Sequence, residues 1–285
     1  MNLEGDFLLF ADDVKLFGEE ASYQQLVRLQ EDLMKIEEWC VLNGMDLNPT
    51  KCLVITFSKS RQTHQFNYIL QNFTLRRVTE VKDLGILLTA NLDFGAHISN
   101  VCGKALKTLG LVNRICRQGL SASSLKTLYV ALVRPIMEYS VVVWSPHQIG
   151  HCSSLDAVQR RFIRTIGVKL GYRYIEVGIQ AMERCLNLPT LSSRRTLIDL
   201  MFLYKILNNT IDCSEILQMI DFHVPRSARH FQLFTIHHLS TNYLYHSAIP
   251  RLMRIGNAVS ADLDFFGKPL SSFKRRAATI LHELD

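Results

Sequence analysis

The sequence contains no C-x-x-C pair, no low-complexity tract, no internal repeat and no long apolar run free of charge. Its seven cysteines, at 40, 52, 102, 116, 152, 185 and 213, are odd in number and scattered. That pattern speaks against a disulfide framework and for reduced thiols in an intracellular protein of nucleus or cytoplasm, not a secreted one. The first six residues offer neither a basic stretch nor an apolar core, so no secretory leader is read there. The most apolar window, 125–144, carries Lys126, Arg134, Pro135 and Glu138, which argues against a membrane span. A strong charge of either sign is also missing. Thirty-two Lys plus Arg against 26 Asp plus Glu leave +6, enough to assist contact with a polyanion but too little to establish it. What the sequence does have is apolar material: 48% of 285 residues can fill a core of one large or two ordinary domains.

Strand-like patterning is confined to about the first 89 residues. Phe7-Leu8-Leu9-Phe10-Ala11 stops at Asp12-Asp13 and resumes as Val14-Lys15-Leu16-Phe17, the pattern of a buried hairpin with two acids at its tip. Leu26, Leu29, Leu33, Ile36 and Cys40 alternate at spacings of three and four, which predicts a helix over 22–43 stopped by Asn43-Gly44. Residues 52–57, 72–78 and 81–88 read as strands. Beyond Asn91 the periods are helical, at about 94–118, 121–144, 152–168, 174–186, 191–209, 212–221 and 271–284. Residues 225–246 show no clean period. The expected fold class is α+β, strands and one helix first and a mostly α-helical part after.

Two adjacent carboxylates at a hairpin tip repel each other unless a cation neutralises them, and hard divalent ions such as Mg²⁺ prefer carboxylate oxygens. A solvated turn is the competing reading of the same pair. The surrounding blocks bear on that choice. Phe10-Ala11-Asp12-Asp13 resembles the [YF]-A-D-D box of reverse transcriptases. Glu37-Glu38-Trp39-Cys40, then Leu47-Asn48-Pro49-Thr50-Lys51-Cys52 and Ile55-Thr56-Phe57-Ser58, are similar to the segment that follows this box in jockey-like and related non-LTR (LINE-type) elements. Val81-Lys82-Asp83-Leu84-Gly85-Ile86-Leu87-Leu88 and Leu92-Asp93-Phe94-Gly95-Ala96-His97-Ile98 resemble the family's primer-grip strand and the start of its thumb. Residues 128–139, Trp144-Ser145-Pro146 and 155–164 continue the series in order.

The resemblance implies a partial reverse-transcriptase palm over 1–90, a helical thumb-like region over 91–170 and a helical C-terminal region over 171–285. It implies an RNA-directed DNA polymerase ancestry, with Mg²⁺ as cofactor and an RNA template and DNA primer as partners. Asp12 would bind both catalytic ions and Asp13 would be the second carboxylate. Phe10 would pack near the primer terminus or incoming nucleotide, and Lys51 would protonate the pyrophosphate leaving group. An ordinary lysine opening a strand is the alternative for Lys51. Leu84-Gly85 would let backbone approach the primer, since glycine lacks a Cβ, with a ligand-free bulge as the alternative.

The family's upstream aspartate, its fingers and an endonuclease domain have no counterpart in this sequence. Two metal ions need that missing carboxylate, so this chain alone is expected not to polymerise. A nucleic-acid-binding remnant and a relic without function are the other readings. For binding, Lys104, Lys107, Arg114 and Arg117 share one broad helical face, and Arg160, Arg161 and Arg164 lie opposite Leu155, Val158, Phe162 and Ile166. Either could be a solvated charged face. His147-x-x-x-His151-Cys152 lacks a second cluster at zinc-finger spacing, and His237-His238 reads as surface or satisfied core.

Overall fold

Residues 3–19, 22–60, 66–116, 119–224 and 232–284 are described by the structure, a computed structural model. The chain divides into two units, Met1–Phe94 and Gly95–Asp285.

In the first unit, β1 (Asp6–Phe10) and β2 (Asp13–Phe17) pair antiparallel, with Phe10 opposite Asp13. Only Ala11 and Asp12 make the turn, and Ala11 adopts φ +53°, a left-handed conformation more often given to glycine. Next comes α1 (Tyr23–Leu42). The Ser22 hydroxyl accepts the Gln25 amide at its start, and Gly44 at φ +65° ends it. Leu26, Ile36 and Cys40 are buried on its apolar face.

Asp32 sits on that same face and is fully buried. Its carboxylate accepts the amides of Glu4 (3.1 and 3.0 Å) and Gly5 (2.6 Å), and Lys35 donates to it at 2.8 Å. The helix thereby holds the start of β1. Burial, the largest influence, raises the carboxyl's pKa, but the hydrogen bonds from Lys35, Gly5 and Glu4 together bring it below the ordinary 3.8. A depressed folded-state pKa gives stability that is present above the unfolded value and lost as pH falls through the folded one. Asp32→Asn is therefore expected to speed hydrogen exchange at the β1 amides at neutral pH, and its difference from the wild type to narrow as pH falls through the depressed carboxyl pKa, below the ordinary 3.8. Equal exchange at pH 7 would remove Asp32 from this role.

The remaining strands are short: β3 (Leu53–Val54), β4 (Ile69–Leu70), β5 (Phe73–Thr74), β6 (Arg76–Arg77), β7 (Glu80–Asp83) and β8 (Ile86–Thr89). They form separate two-stranded pairs, β3 parallel to β6, β4 with β5 and β7 with β8. This corrects three sequence expectations. The strand over 52–57 shrinks to Leu53–Val54. The strand over 72–78 is cut at Leu75, whose N–H goes to the Tyr68 carbonyl at 2.8 Å. The strand over 81–88 is a hairpin, because Leu84 (φ +42°) and Gly85 (φ +89°) reverse the chain within an apolar run.

The second unit is helical: α2 (Gly95–Cys116), α3 (Ala122–Leu128), α4 (Arg134–Glu138), α5 (Val141–Trp144), α6 (Ile149–Lys169), α7 (Ile179–Cys185), α8 (Leu191–Leu207), α9 (Ser214–Gln218), α10 (Asn242–His246), α11 (Ala248–Val259) and α12 (Leu270–Leu284). The helix expected over 121–144 is broken. Pro135 contributes no N–H to the ladder, a wide π turn at Tyr129–Val133 precedes it, and Ser140 at φ +50° ends the path before α5.

One part of the core joins α2, α3 and α6. There Tyr129 stacks on Phe162 at 4.2 Å and donates its hydroxyl to buried Gln159 at 3.0 Å. A second cluster joins α8, α11 and α12 around Leu200, Leu203, Phe234, Leu252 and Phe273. Arg194 bridges both Glu138 oxygens (2.7 and 2.8 Å), and buried Asp199 takes Arg251 at 3.0 and 3.3 Å. Among the described residues no helix is long and apolar enough to cross a membrane.

Candidate functional site

The β1–β2 hairpin is exposed, where a buried one was expected. Phe7, Leu8, Leu9, Phe10, Val14 and Phe17 are each 43–63% accessible. Alternation along a strand sends neighbouring side chains to opposite faces, so apolar groups stand in water on both faces of this ribbon. Asp12 lies in its turn and Asp13 opens β2. Among the described residues, no ion pair or side-chain hydrogen bond engages Asp12, Asp13 or Lys51.

The structure ties the Asp-Asp strand to the Leu84-Gly85 hairpin by an ion pair that sequence reading missed. Lys15 Nζ lies 2.6 Å from Asp83 Oδ1. Lys15 follows Asp13 by two positions and so shares its face of β2, while Asp83 directly precedes Leu84. No spacing rule could have paired two ordinary charges 68 positions apart, because only the folded hairpins bring them together. Leu84 is 45% exposed at the tip of its turn.

Lys51 is exposed in a tight turn ahead of β3. Asn48 builds that turn: its side-chain oxygen accepts the Thr50 amide at 3.1 Å and hydroxyl at 2.6 Å, and the Lys51 amide donates to the Asn48 carbonyl at 3.1 Å.

Among the described residues no group of three His, Cys, Asp or Glu side chains converges to hold a metal ion. Asp12 and Asp13 offer two adjacent carboxylates. A two-ion centre needs carboxylates from more than one strand, so these residues do not by themselves fit one.

In the second unit, Lys104, Lys107 and Arg114 are exposed on α2, opposite buried Ala105, Leu109 and Val112. Arg117 lies outside the described residues. The arginines of α6 are not equivalent. Arg161 is exposed, whereas Arg160 donates to the Ser153 carbonyl at 3.3 Å and Arg164 is half-buried with its guanidinium 5.0 Å above the Tyr174 ring. The expected arginine edge is thus partly engaged within the protein.

Histidines of both clusters make contacts within the protein. His147 stacks face to face on His246 at 3.9 Å, and Cys152 donates to the Pro146 carbonyl. Burial, then His151 and Arg251, lowers the His147 pKa. His237 meets Asp221 at 2.9 Å.

With this geometry in place, comparison with known proteins points to the polymerases of mobile elements. The chain is 24% identical over 168 residues to the RNA-directed DNA polymerase from mobile element jockey of Drosophila funebris, a match covering 57% of this chain and 18% of that protein. It is 28% identical over 163 residues to the probable RNA-directed DNA polymerase from transposon BS of Drosophila melanogaster, covering 55% and 18%. The jockey polymerase of Drosophila melanogaster aligns over 196 residues at 24% identity, covering 67% and 21%. The chain therefore spans about a fifth of the length of these relatives. No family model and no solved structure matches it.

Proposed function

We propose that this chain is a portion of a reverse transcriptase of a jockey-like, non-LTR mobile element, in which residues 1–90 carry part of the palm, 91–170 a thumb-like helical region and 171–285 a helical C-terminal region. The alignment with three such polymerases over more than half of the chain is the observation that carries this reading. The exposed Asp12–Asp13 tip supports it, since a metal-binding pair must be reachable and unclaimed by protein cations. In the whole polymerase Asp12 and Asp13 would be Mg²⁺ ligands and Phe10 would lie against the primer terminus or incoming nucleotide. Lys51 would serve as general acid to the leaving pyrophosphate, and Leu84-Gly85 would meet the primer. A ligand set limited to one hairpin leaves this chain without nucleotidyl transfer of its own.

A nucleic-acid-binding remnant is the second reading, favoured by the exposed cations Lys104, Lys107 and Arg114, with Arg117, Arg160, Arg161 and Arg164 as further candidates for RNA or DNA backbone. Primer extension on a poly-RNA template with Mg²⁺, run beside Asp12→Ala, is expected to give no product from either. Product abolished by Asp12→Ala would show that the missing carboxylate is supplied from elsewhere. Duplex binding measured across salt is expected to weaken for the triple Lys104→Ala, Lys107→Ala, Arg114→Ala variant. The slope of log K against log salt should become shallower by about one unit for each phosphate that the variant no longer neutralises.

A further inference from the structure

The segment joining α6 to α7 leaves exposed apolar side chains on a backbone that is firmly held. The Leu170 amide caps α6 by donating to the Ile166 and Gly167 carbonyls at 3.0 Å each, Gly171 turns the chain at φ +95°, and the Tyr172 amide returns to the Gly167 carbonyl at 3.0 Å. This is the hydrogen-bonded close of a helix by a left-handed glycine. Six residues on, buried Val177 packs into the space above Gly167, where a Cβ would lie 2.4 Å from Val177 Cγ2. Both ends of residues 170–177 are therefore fixed to α6.

Between these anchors Tyr172 is 54%, Tyr174 47% and Ile175 84% exposed, beside Val168 and Leu170 at about half. The charges in this stretch are mostly positive. Residues 160–176 include Arg160, Arg161, Arg164, Lys169 and Arg173 against the single carboxylate of Glu176. Glu176 reaches Arg173 only at 3.7 Å, in an exposed pair that binds weakly. Arg164 lies over the Tyr174 ring, its Nε buried and without a hydrogen-bond partner in the protein.

We propose that Tyr172 and Tyr174, flanked by Arg161, Arg164, Lys169 and Arg173, form a stacking platform for single-stranded nucleic acid. Flat apolar faces next to several cations suit a ligand that alternates unstacked bases with phosphates, and Arg held over a tyrosine ring adds a second flat face. A duplex keeps its bases stacked on one another and has no use for the tyrosine rings. This inference rests on the nucleic-acid reading above and adds to it a distinct place and strandedness.

The test is fluorescence anisotropy with the full chain, labelled oligo(dT) of 15 nucleotides, the matching dA·dT duplex, and phosphatidylserine vesicles. The Tyr172→Ala/Tyr174→Ala variant is expected to lose on the order of ten-fold or more in oligo(dT) affinity, with duplex affinity unchanged within about two-fold. Tyr172→Phe/Tyr174→Phe keeps the rings and should bind as the parent does. Both variants lie on the surface, and thermal melting checks that they fold. Unchanged oligo(dT) binding by the alanine variant, or equal loss for strand and duplex, overturns the platform. So does a loss confined to vesicles, which would make the patch a membrane contact. If the Lys104/Lys107/Arg114 variant weakens duplex binding while the tyrosine variant changes nothing, only the platform fails. If the parent binds neither nucleic acid, both readings fall.

Discussion

Arg251→Ala is expected to destabilise the helical unit by about 3–5 kcal/mol, the range for removing one partner of a buried ion pair. Asp199 is 1% exposed, and Arg251 supplies two of its hydrogen bonds. The same guanidinium donates to the Val142 carbonyl at 2.5 Å and to the His246 carbonyl at 3.2 Å, so it also ties the start of α5 and the end of α10 to α8. Alanine removes all of these and leaves a carboxylate in the core. Burial already raises the Asp199 pKa, with Arg251 and Arg195 opposing the rise. Without Arg251 the rise grows. A carboxyl whose folded pKa is raised contributes stability at pH below its unfolded value and loses it as pH climbs through the folded value. The deficit of the variant should therefore be largest at neutral pH and shrink as pH is lowered, because the raised pKa lets Asp199 take a proton above the ordinary carboxyl range. Urea unfolding at several pH values measures this, and Tm at pH 7 should fall by on the order of 10 °C. Replacing both partners, Asp199→Leu with Arg251→Met, should recover much of the stability because neither member of the pair is left as an uncompensated buried charge. A deficit under about 1 kcal/mol that ignores pH would mean that water reaches Asp199 once the arginine is gone.

The pattern of apolar residues reveals those elements whose signals are local. Leu26 to Cys40 repeat with Ser22 before and Gly44 after, so α1 appears within a residue of its expected bounds. The β1–β2 hairpin is equally plain, because two apolar runs flank Asp12-Asp13 and the turn has only two residues. Where the deciding partner is distant, the sequence is silent. Asp32 interrupts an apolar stripe and would count as a mismatch in any periodic reading, yet its partners are amides 27 and 28 positions upstream. On a helical wheel Arg164 looks like a free cation. The wheel cannot know that residues 170–177 fold back and bring Tyr174 beneath it. Residues 81–88 read as one strand because a leucine occupies a left-handed turn position that usually announces itself with asparagine or glycine. α10 and α11 escape a periodic reading for a related reason: α10 has five residues, and Pro250 near the start of α11 looks like a breaker though the first helical turn tolerates it. For the candidate site, the sequence supplies the chemistry of Asp12, Asp13 and Lys51, while the exposure of their hairpin and the Lys15–Asp83 tie come only from the fold.

Trp144 offers the other large effect. Its indole is 1% exposed, stands edge to face against His97 at 5.1 Å, and donates from Nε1 to the Tyr139 carbonyl at 2.9 Å. That hydrogen bond spans the break at Ser140, a left-handed serine between α4 and α5 whose conformation is costly unless neighbours hold it. Trp144→Ala should cost about 3–5 kcal/mol, as other large aromatic deletions from a packed core do. Trp144→Phe separates the two contributions. Phenylalanine keeps most of the apolar packing but has no N–H to hold the Tyr139 carbonyl, so its cost should be about 1–2 kcal/mol. Because Trp39 is 42% exposed, the two tryptophans differ in environment, and the buried, blue-shifted part of the emission should vanish in both variants. Denaturant unfolding followed by circular dichroism gives the energies independently of that signal. If phenylalanine proves as damaging as alanine, the hydrogen bond across Ser140 carries the effect. If phenylalanine is neutral, packing alone fixes α5 and the serine turn is held by something else.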